Sequence, residues 1–323
     1  MRVIFMGTPD FAVSVLAAVA EAGHEILLAV TQPDRPKGRG KQIQYSPVKE
    51  WAIEHDVPVY QPRRIRDEEA AAYLARFEAD IIVVAAFGQI LPKEILELPP
   101  YGCVNVHASL LPKYRGAAPI QWAVINGDPV SGVTTMQMGV GLDDGDMLLK
   151  EEVPLAADET GGSLFDKLAK AGGKLCVRTL EGLERGEITP IPQTEAEATH
   201  VGMIKKSMGE MDFSRSAIEL ERLVRGLNPW PSAFTHIGTK TLKIWRSAAE
   251  QKLPEGAGDA ADCMREHPVP GMICHIDSAG IWVLTGDGFL ILQEVQLEGK
   301  KRMSAADFLR GHDLPVGIVF KKG

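Results

Sequence analysis

The chain has 323 residues, 45% hydrophobic and 24% charged, a globular composition with room for about two domains, which excludes wholesale disorder. A formal net charge of −8 would ordinarily count against a nucleic-acid ligand, although Arg35, Lys37, Arg39 and Lys41 stand close together with Asp34 as the single acid beside them. No apolar run exceeds Ile81 to Phe87, so neither a membrane span nor a signal peptide is expected, and Cys103, Cys176, Cys263 and Cys274 are spaced for neither a disulfide framework nor a zinc site, which suits a reducing cytoplasm.

Taken in order, Arg2 to Met6 reads as a buried strand, and Gly7-Thr8-Pro9-Asp10 turns into a helix carrying Phe11, Val15, Leu16 and Val19 and ending at Gly23. A strand follows at Glu25 to Thr31, then a polar stretch through Tyr45, then a helix with Ser46 as N-cap and Pro47 in its first turn. A helix at Glu68 to Phe77 precedes strands at Asp80 to Ala86, Cys103 to His107 and Val133 to Met138. Strands alternating with helices predict a Rossmann-like α/β fold, a doubly wound, mostly parallel sheet covered on both faces. Gly7 does not begin a three-glycine dinucleotide fingerprint, so bound nicotinamide cofactor is not expected.

A long helix from Gly162 to Glu184, opened by a Ser163-x-x-Asp166 box, closes this first domain, assigned to residues 1–189. Residues 190–207 lack periodicity and read as a linker. Residues 208–323 hold a short helix, Ser216 to Leu227, and strands at Ala233 to Ile237, Leu242 to Ser247, Met272 to Ile276, Ile281 to Thr285 and Phe289 to Gln296. Such a series predicts a smaller β-barrel domain of the oligonucleotide-binding (OB-like) type.

Ligands of doubly wound sheets sit at the carboxyl ends of the strands, where His107 falls. Asn105 and His107 are two apart on one strand and so share a face, where an amide and an imidazole can polarise a carbonyl and stabilise an oxyanion. Asp143, in the turn Gly141 to Asp146, is placed to orient His107.

The order Asn105-x-His107-x-Ser109-Leu110-Leu111-Pro112, then Lys113-Tyr114-Arg115-Gly116 and Gly141-Leu142-Asp143, resembles the folate-dependent formyltransferases. So do Phe5 to Ala12, Gln32 to Pro36, Gly38 to Lys41 and Asn228-Pro229-Trp230-Pro231, and the likeness runs from Arg2 to about Phe308. Asp144 and the tail after Gly311 depart from the pattern. Within the family the likeness is to members acting on methionyl initiator tRNA. It implies a cytoplasmic enzyme of translation initiation, expected to be a monomer, that needs no metal and takes its formyl group from 10-formyltetrahydrofolate.

It further implies that Asn105, His107 and Asp143 are catalytic. Ser109, Leu110, Leu111 and Pro112 would line the folate site, with Phe87, Gly88 and Ile90 as another wall. The tRNA acceptor end would meet Arg39, with Arg35, Lys37 and Lys41 beside it, while Lys205, Lys206, Lys300, Lys301 and Arg302 add phosphate contacts. The alternative is a formyltransferase acting on a sugar nucleotide or purine precursor, which would share the catalytic residues but have no use for so long a cationic loop.

Overall fold

In the computed structural model the described residues are 1–37, 42–255 and 268–320. In chain order they form β1 (Arg2–Gly7), α1 (Asp10–Glu21), β2 (Glu25–Val30), β3 (Arg35–Lys37), β4 (Gln42–Gln44), α2 (Pro47–Glu54), β5 (Val59–Tyr60), α3 (Glu68–Ala75), β6 (Ile81–Ala85), α4 (Lys93–Leu96), β7 (Cys103–His107), β8 (Arg115–Gly116), α5 (Pro119–Asn126), β9 (Val130–Gln137), β10 (Met147–Pro154), α6 (Gly161–Glu184) and β11 (His200–Val201). Then come α7 (Ala217–Gly226), β12 (Ala233–Ile237), β13 (Lys240–Glu250), β14 (Ile273–Asp277), β15 (Gly280–Leu284), β16 (Phe289–Leu297), β17 (Met303–Ser304) and α8 (Ala305–Leu309). Two compact units result: one of Met1–Pro119, Val130–Pro154 and Phe165–Gly202, the other of Ile120–Pro129, Leu155–Leu164 and Met203–Gly323.

The first unit is built on a seven-stranded sheet in the order β10-β9-β7-β6-β1-β2-β5. Strands β1, β2, β5, β6 and β7 run parallel, and β6 and β7 are buried at every position, as a sheet covered on both faces requires. The chain leaves β1 for β2 and β5 on one side and returns to β6 on the other, so the topological switch point lies between the carboxyl ends of β1 and β6. Gly7 serves packing at that turn: a Cβ there would lie 2.5 Å from the Ala12 Cβ and 2.8 Å from the Ala85 carbonyl oxygen. Gly173 likewise lets α6 approach α1, since its Cβ would stand 2.9 Å from that of Ala18.

Several local expectations are corrected. The polar stretch after β2 contains the antiparallel hairpin β3–β4, which Pro36 and the glycines around it disguised. Strand β10, with two buried positions followed by alternating half-buried and exposed ones, closes one edge of the sheet. The box that opens α6 is Thr160-x-x-Ser163: the Ser163 backbone N–H donates to Thr160 Oγ1 at 3.0 Å and the Thr160 N–H to Ser163 Oγ at 2.9 Å. Ser163 is thus a responder inside the first turn, and the expected pairing with Asp166 is replaced. Residues 190–202, read as linker, are folded into the first unit, with Ile191 bridging Met147 and β11 pairing parallel to β8.

In the second unit β12-β13-β16-β15-β14 form one antiparallel sheet, with β17 on β16. Helix α7 starts at a reciprocal box in which the Glu219 N–H donates to Ser216 Oγ at 3.4 Å and the Ser216 N–H to Glu219 Oε2 at 3.1 Å. No helix among the described residues is long and apolar enough to cross a membrane.

Candidate active site

Asn105 and His107 lie on one face of β7, 9% and 7% exposed. Asp143 reaches them by an unexpected route. Strand β9 runs antiparallel to β7, with Gln137 opposite Val104 and Thr134 opposite His107, so the chain leaves β9 at the far end of β7. Residues 138–146 then run back to bring the Asp143 carboxylate over the pair. Asp143 adopts φ of +52°, a left-handed conformation that costs a residue with a Cβ about 1 to 3 kcal/mol and persists only where neighbours impose it.

The carboxylate has three neighbours. Oδ2 accepts from the Gly116 backbone N–H at 2.9 Å and lies 3.8 Å from His107 Nδ1, while Oδ1 accepts from Asn105 Nδ2 at 3.4 Å. On its other edge His107 Nε2 is 2.9 Å from the Tyr114 carbonyl oxygen. A carbonyl only accepts, so Nε2 carries the proton there and Nδ1 faces Asp143. The amide, the Nδ1 edge of the imidazole and the carboxylate therefore converge, and both long contacts leave space that substrate atoms can tighten.

The turn after β7 is rigidly backed. Thr134 Oγ1 donates to the Ser109 carbonyl at 2.7 Å and accepts from the Leu111 N–H at 3.1 Å. Ser109 Oγ donates to the Lys113 carbonyl, and Lys150 Nζ to the Leu111 carbonyl. Burial holds the Lys150 ammonium below the usual lysine range against the opposing pull of Glu197. The side chains of Ser109, Leu111 and Pro112 are buried and Leu110 is half-buried, so of these four residues Leu110 has the most accessible side chain.

A cleft of about 710 Å³ opens at the switch point, bordered by Thr8, Pro33, Tyr45, Ser46, Phe87 and Gly88. Of the expected folate residues Phe87 and Gly88 line it; Ile90 stands 67% exposed beyond its lining. The Phe87 carbonyl accepts from Thr8 Oγ1 at 3.3 Å and Gln32 Nε2 at 3.1 Å, which ties the loop after β6 to those after β1 and β2. Since Val84 is opposite Asn105, the register of β6 on β7 brings Ala86 level with His107, so cleft and triad share one edge of the sheet.

Arg35 and Lys37 lie on β3; Arg39 and Lys41 fall outside the described residues. Lys49 Nζ donates to Asp34 Oδ2 at 2.5 Å and to Gln61 Oε1 at 2.9 Å, and Gln61 Nε2 donates to Asp34 Oδ1 at 2.8 Å, securing the entry to this hairpin. Burial alone would raise the Asp34 carboxyl, but hydrogen bonds from Lys49 and Gln61 outweigh it and hold the group below its usual range. Lys205 and Lys206 are exposed in the second unit, as are Lys300 and Lys301, whereas Arg302 is paired with Glu294 and lies 4.9 Å from the centre of the Trp245 ring.

Residues 1–180 match the family model described as Formyl transferase, and residues 203–313 that described as Formyl transferase, C-terminal domain. The chain belongs to the formyl transferase family. A methionyl-tRNA formyltransferase of Agathobacter rectalis is 57% identical over 320 residues, covering 99% of each chain. One from Lachnospira eligens is 55% identical over 319 residues, again covering 99% of each. Among solved structures, an N-formyltransferase from Helicobacter canadensis, in complex with folinic acid and dTDP-3-aminofucose, superposes with a TM-score of 0.64 at 15% identity, over 94% of this chain and 100% of that one. At that identity the likeness shows the formyl transferase fold alone.

Sequence reasoning missed the groups around the triad: the Tyr114 carbonyl, the Gly116 N–H, and Gln193, which donates to the Asp143 carbonyl and accepts from Arg115 Nε. Tyr114 to Gly116 stood in the motif already, but a backbone partner leaves no signal in residue type. Gln193 stood in a segment without periodicity.

Proposed function

We propose that the chain transfers the formyl group of 10-formyltetrahydrofolate to the α-amino group of methionyl initiator tRNA. The observation that carries this reading is full-length identity above half to methionyl-tRNA formyltransferases, joined to a triad whose three polar groups converge. An α-amino group titrates near about 7.7 to 8.0, lower still beside an ester, so a useful fraction is neutral and nucleophilic at physiological pH. Its lone pair attacks the formyl carbon, forming the new C–N bond while the carbonyl electrons move onto oxygen. Asn105 Nδ2 and the Nδ1 edge of His107 stabilise that oxyanion. His107 takes the amine proton at Nδ1, the edge left free by its Nε2–H bond to the Tyr114 carbonyl, and the Asp143 carboxylate stabilises the imidazolium so formed. Collapse of the intermediate re-forms the carbonyl and breaks the bond to N10 of the folate, which leaves with a proton returned from the site.

In this reading the folate lies against the loop from Phe87 to Ile90 and the turn from Ser109 to Pro112, adjacent on the sheet edge because β6 and β7 are neighbours. The segment 35–41, with Arg35, Lys37, Arg39 and Lys41, takes the acceptor end of the tRNA, and the second unit, with Lys205 and Lys206 in it, adds phosphate contacts. Incubation with 10-formyltetrahydrofolate and methionyl initiator tRNA, methionyl elongator tRNA or an amino-sugar nucleotide tests the reading directly. Formylation of the initiator tRNA well ahead of the others is expected; preferential formylation of the sugar nucleotide would replace it.

A further inference from the structure

We infer that Gln193, on the segment that returns from α6, is a positioning residue for His107 and Asp143, an assignment that rests on the formyl-transfer reading of the triad. Its side-chain amide is fully used. Nε2 donates to the Asp143 carbonyl and to the Gly145 carbonyl, each at 2.8 Å, and Oε1 accepts from Arg115 Nε at 3.0 Å. The first two bonds fix the backbone of the catalytic acid where it is left-handed and able to relax. The third reaches an arginine whose guanidinium is buried, 4% exposed, and which is held again by Glu195 at 2.8 Å.

Arg115 is the residue through which this grip reaches the imidazole. Its neighbour Tyr114 supplies the carbonyl that takes the Nε2 proton of His107, and its other neighbour Gly116 supplies the N–H that holds Asp143 Oδ2. The returning segment secures the same peptide units by side chain and main chain: Thr199 Oγ1 accepts from the Tyr114 N–H at 2.8 Å, the Thr199 carbonyl from the Arg115 N–H at 2.8 Å, and the Val201 carbonyl from the Ala117 N–H at 3.1 Å. Gln193 thus ties together the backbone of the acid and the strand that orients both acid and base. Without it Asp143 keeps its neighbours but loses the restraint that sets its distance to His107. A displacement of about 1 Å at reacting groups costs about a hundredfold in rate.

The test uses the full chain carrying Gln193→Glu, which keeps the volume and can still meet Arg115 but removes both N–H donors, and Gln193→Ala as a second variant. Steady-state kinetics are measured with methionyl initiator tRNA and 10-formyltetrahydrofolate over a range of pH, beside thermal unfolding and circular dichroism. The expected result for Gln193→Glu is a fall in kcat of about 10- to 100-fold with both KM values within about twofold of wild type. The pH profile of kcat should be displaced, and a folded spectrum retained. A structural role alone would lower the active fraction and the melting temperature while the surviving enzyme kept the wild-type pH profile. That outcome, or a kcat within twofold of wild type, overturns the inference. Wild-type protein that fails to formylate the tRNA at all overturns the functional reading instead, so the two failures are distinguishable.

Discussion

Replacing Asp143 by asparagine isolates the charge from the shape of the site. The asparagine side chain can still accept from the Gly116 N–H through its carbonyl oxygen, so the loop keeps its anchor and stability should change by less than about 1.5 kcal/mol, the usual net worth of one hydrogen bond. What disappears is a negative charge 3.8 Å from His107 Nδ1, between side chains 8% and 14% exposed. At an effective permittivity of about 20 a full positive charge on the imidazole gains about 4 kcal/mol from that carboxylate, and further water at the mouth of the site reduces it to about half. If the positive charge develops in the transition state, losing about 2 to 4 kcal/mol slows turnover by about 30- to 1000-fold. The assay is the initial rate of tRNA formylation at saturating donor and acceptor, with melting temperature as the control for folding. A kcat within threefold of wild type, in protein of unchanged melting temperature, would refute the electrostatic role given to Asp143.

Four further outcomes follow from other parts of the molecule. Arg39→Ala should raise the KM for charged tRNA, leave folate binding unchanged and flatten the salt dependence of tRNA affinity by about one unit of log–log slope; an unaltered slope would remove Arg39 from the RNA interface. Ser216→Ala should cost about 1 kcal/mol in urea unfolding at pH 7 through loss of the cap on α7. The hydrogen bonds from Ser216 and then Arg215 lower the Glu219 carboxyl from 4.5 to about 2, so its contribution is present above pH 4.5 and disappears as pH falls toward 2. Glu219→Gln should therefore differ less from wild type at pH 3 than at pH 7, and an equal gap at both would contradict the assignment. Burial pushes the Cys103 and Cys176 thiols up to about 12, so at pH 8 both should resist a disulfide reagent in the native protein and react in denaturant, read by peptide mass spectrometry; rapid native modification of either would show that the core opens.

Much of this architecture is legible in residue order because its physics is local. The apolar runs of β1, β6 and β7 announce strands buried on both faces, Ser46-Pro47 announces the start of α2, and Ser216 with Glu219 announces the start of α7. The pairing of Asn105 with His107 is legible for the same reason: residues two apart on a strand share a face whatever the strand packs against. The box at α6 shows the limit of such signals, since Thr160, Ser163 and Asp166 carry overlapping cues and only the backbone path selects the first two.

By itself, then, the amino-acid sequence determined the alternating elements, the face shared by Asn105 and His107, and through the spacing of whole motifs the formyl transferase family. The tertiary structure decided how Asp143 arrives. Whether β9 runs parallel or antiparallel to β7 depends on pairing with a distant strand, and it is the antiparallel choice that sends residues 138–146 back over the pair. It also decided that residues 190–202 fold into the first unit and do not form a passive connection. Gln193 stabilises nothing near it in sequence; its partners at residues 115, 143 and 145 become neighbours only after the sheet and α6 have formed. Hydrogen bonds to backbone carbonyls and N–H groups carry no signature of residue type, so the triad can be read from the chain while the frame that holds it cannot.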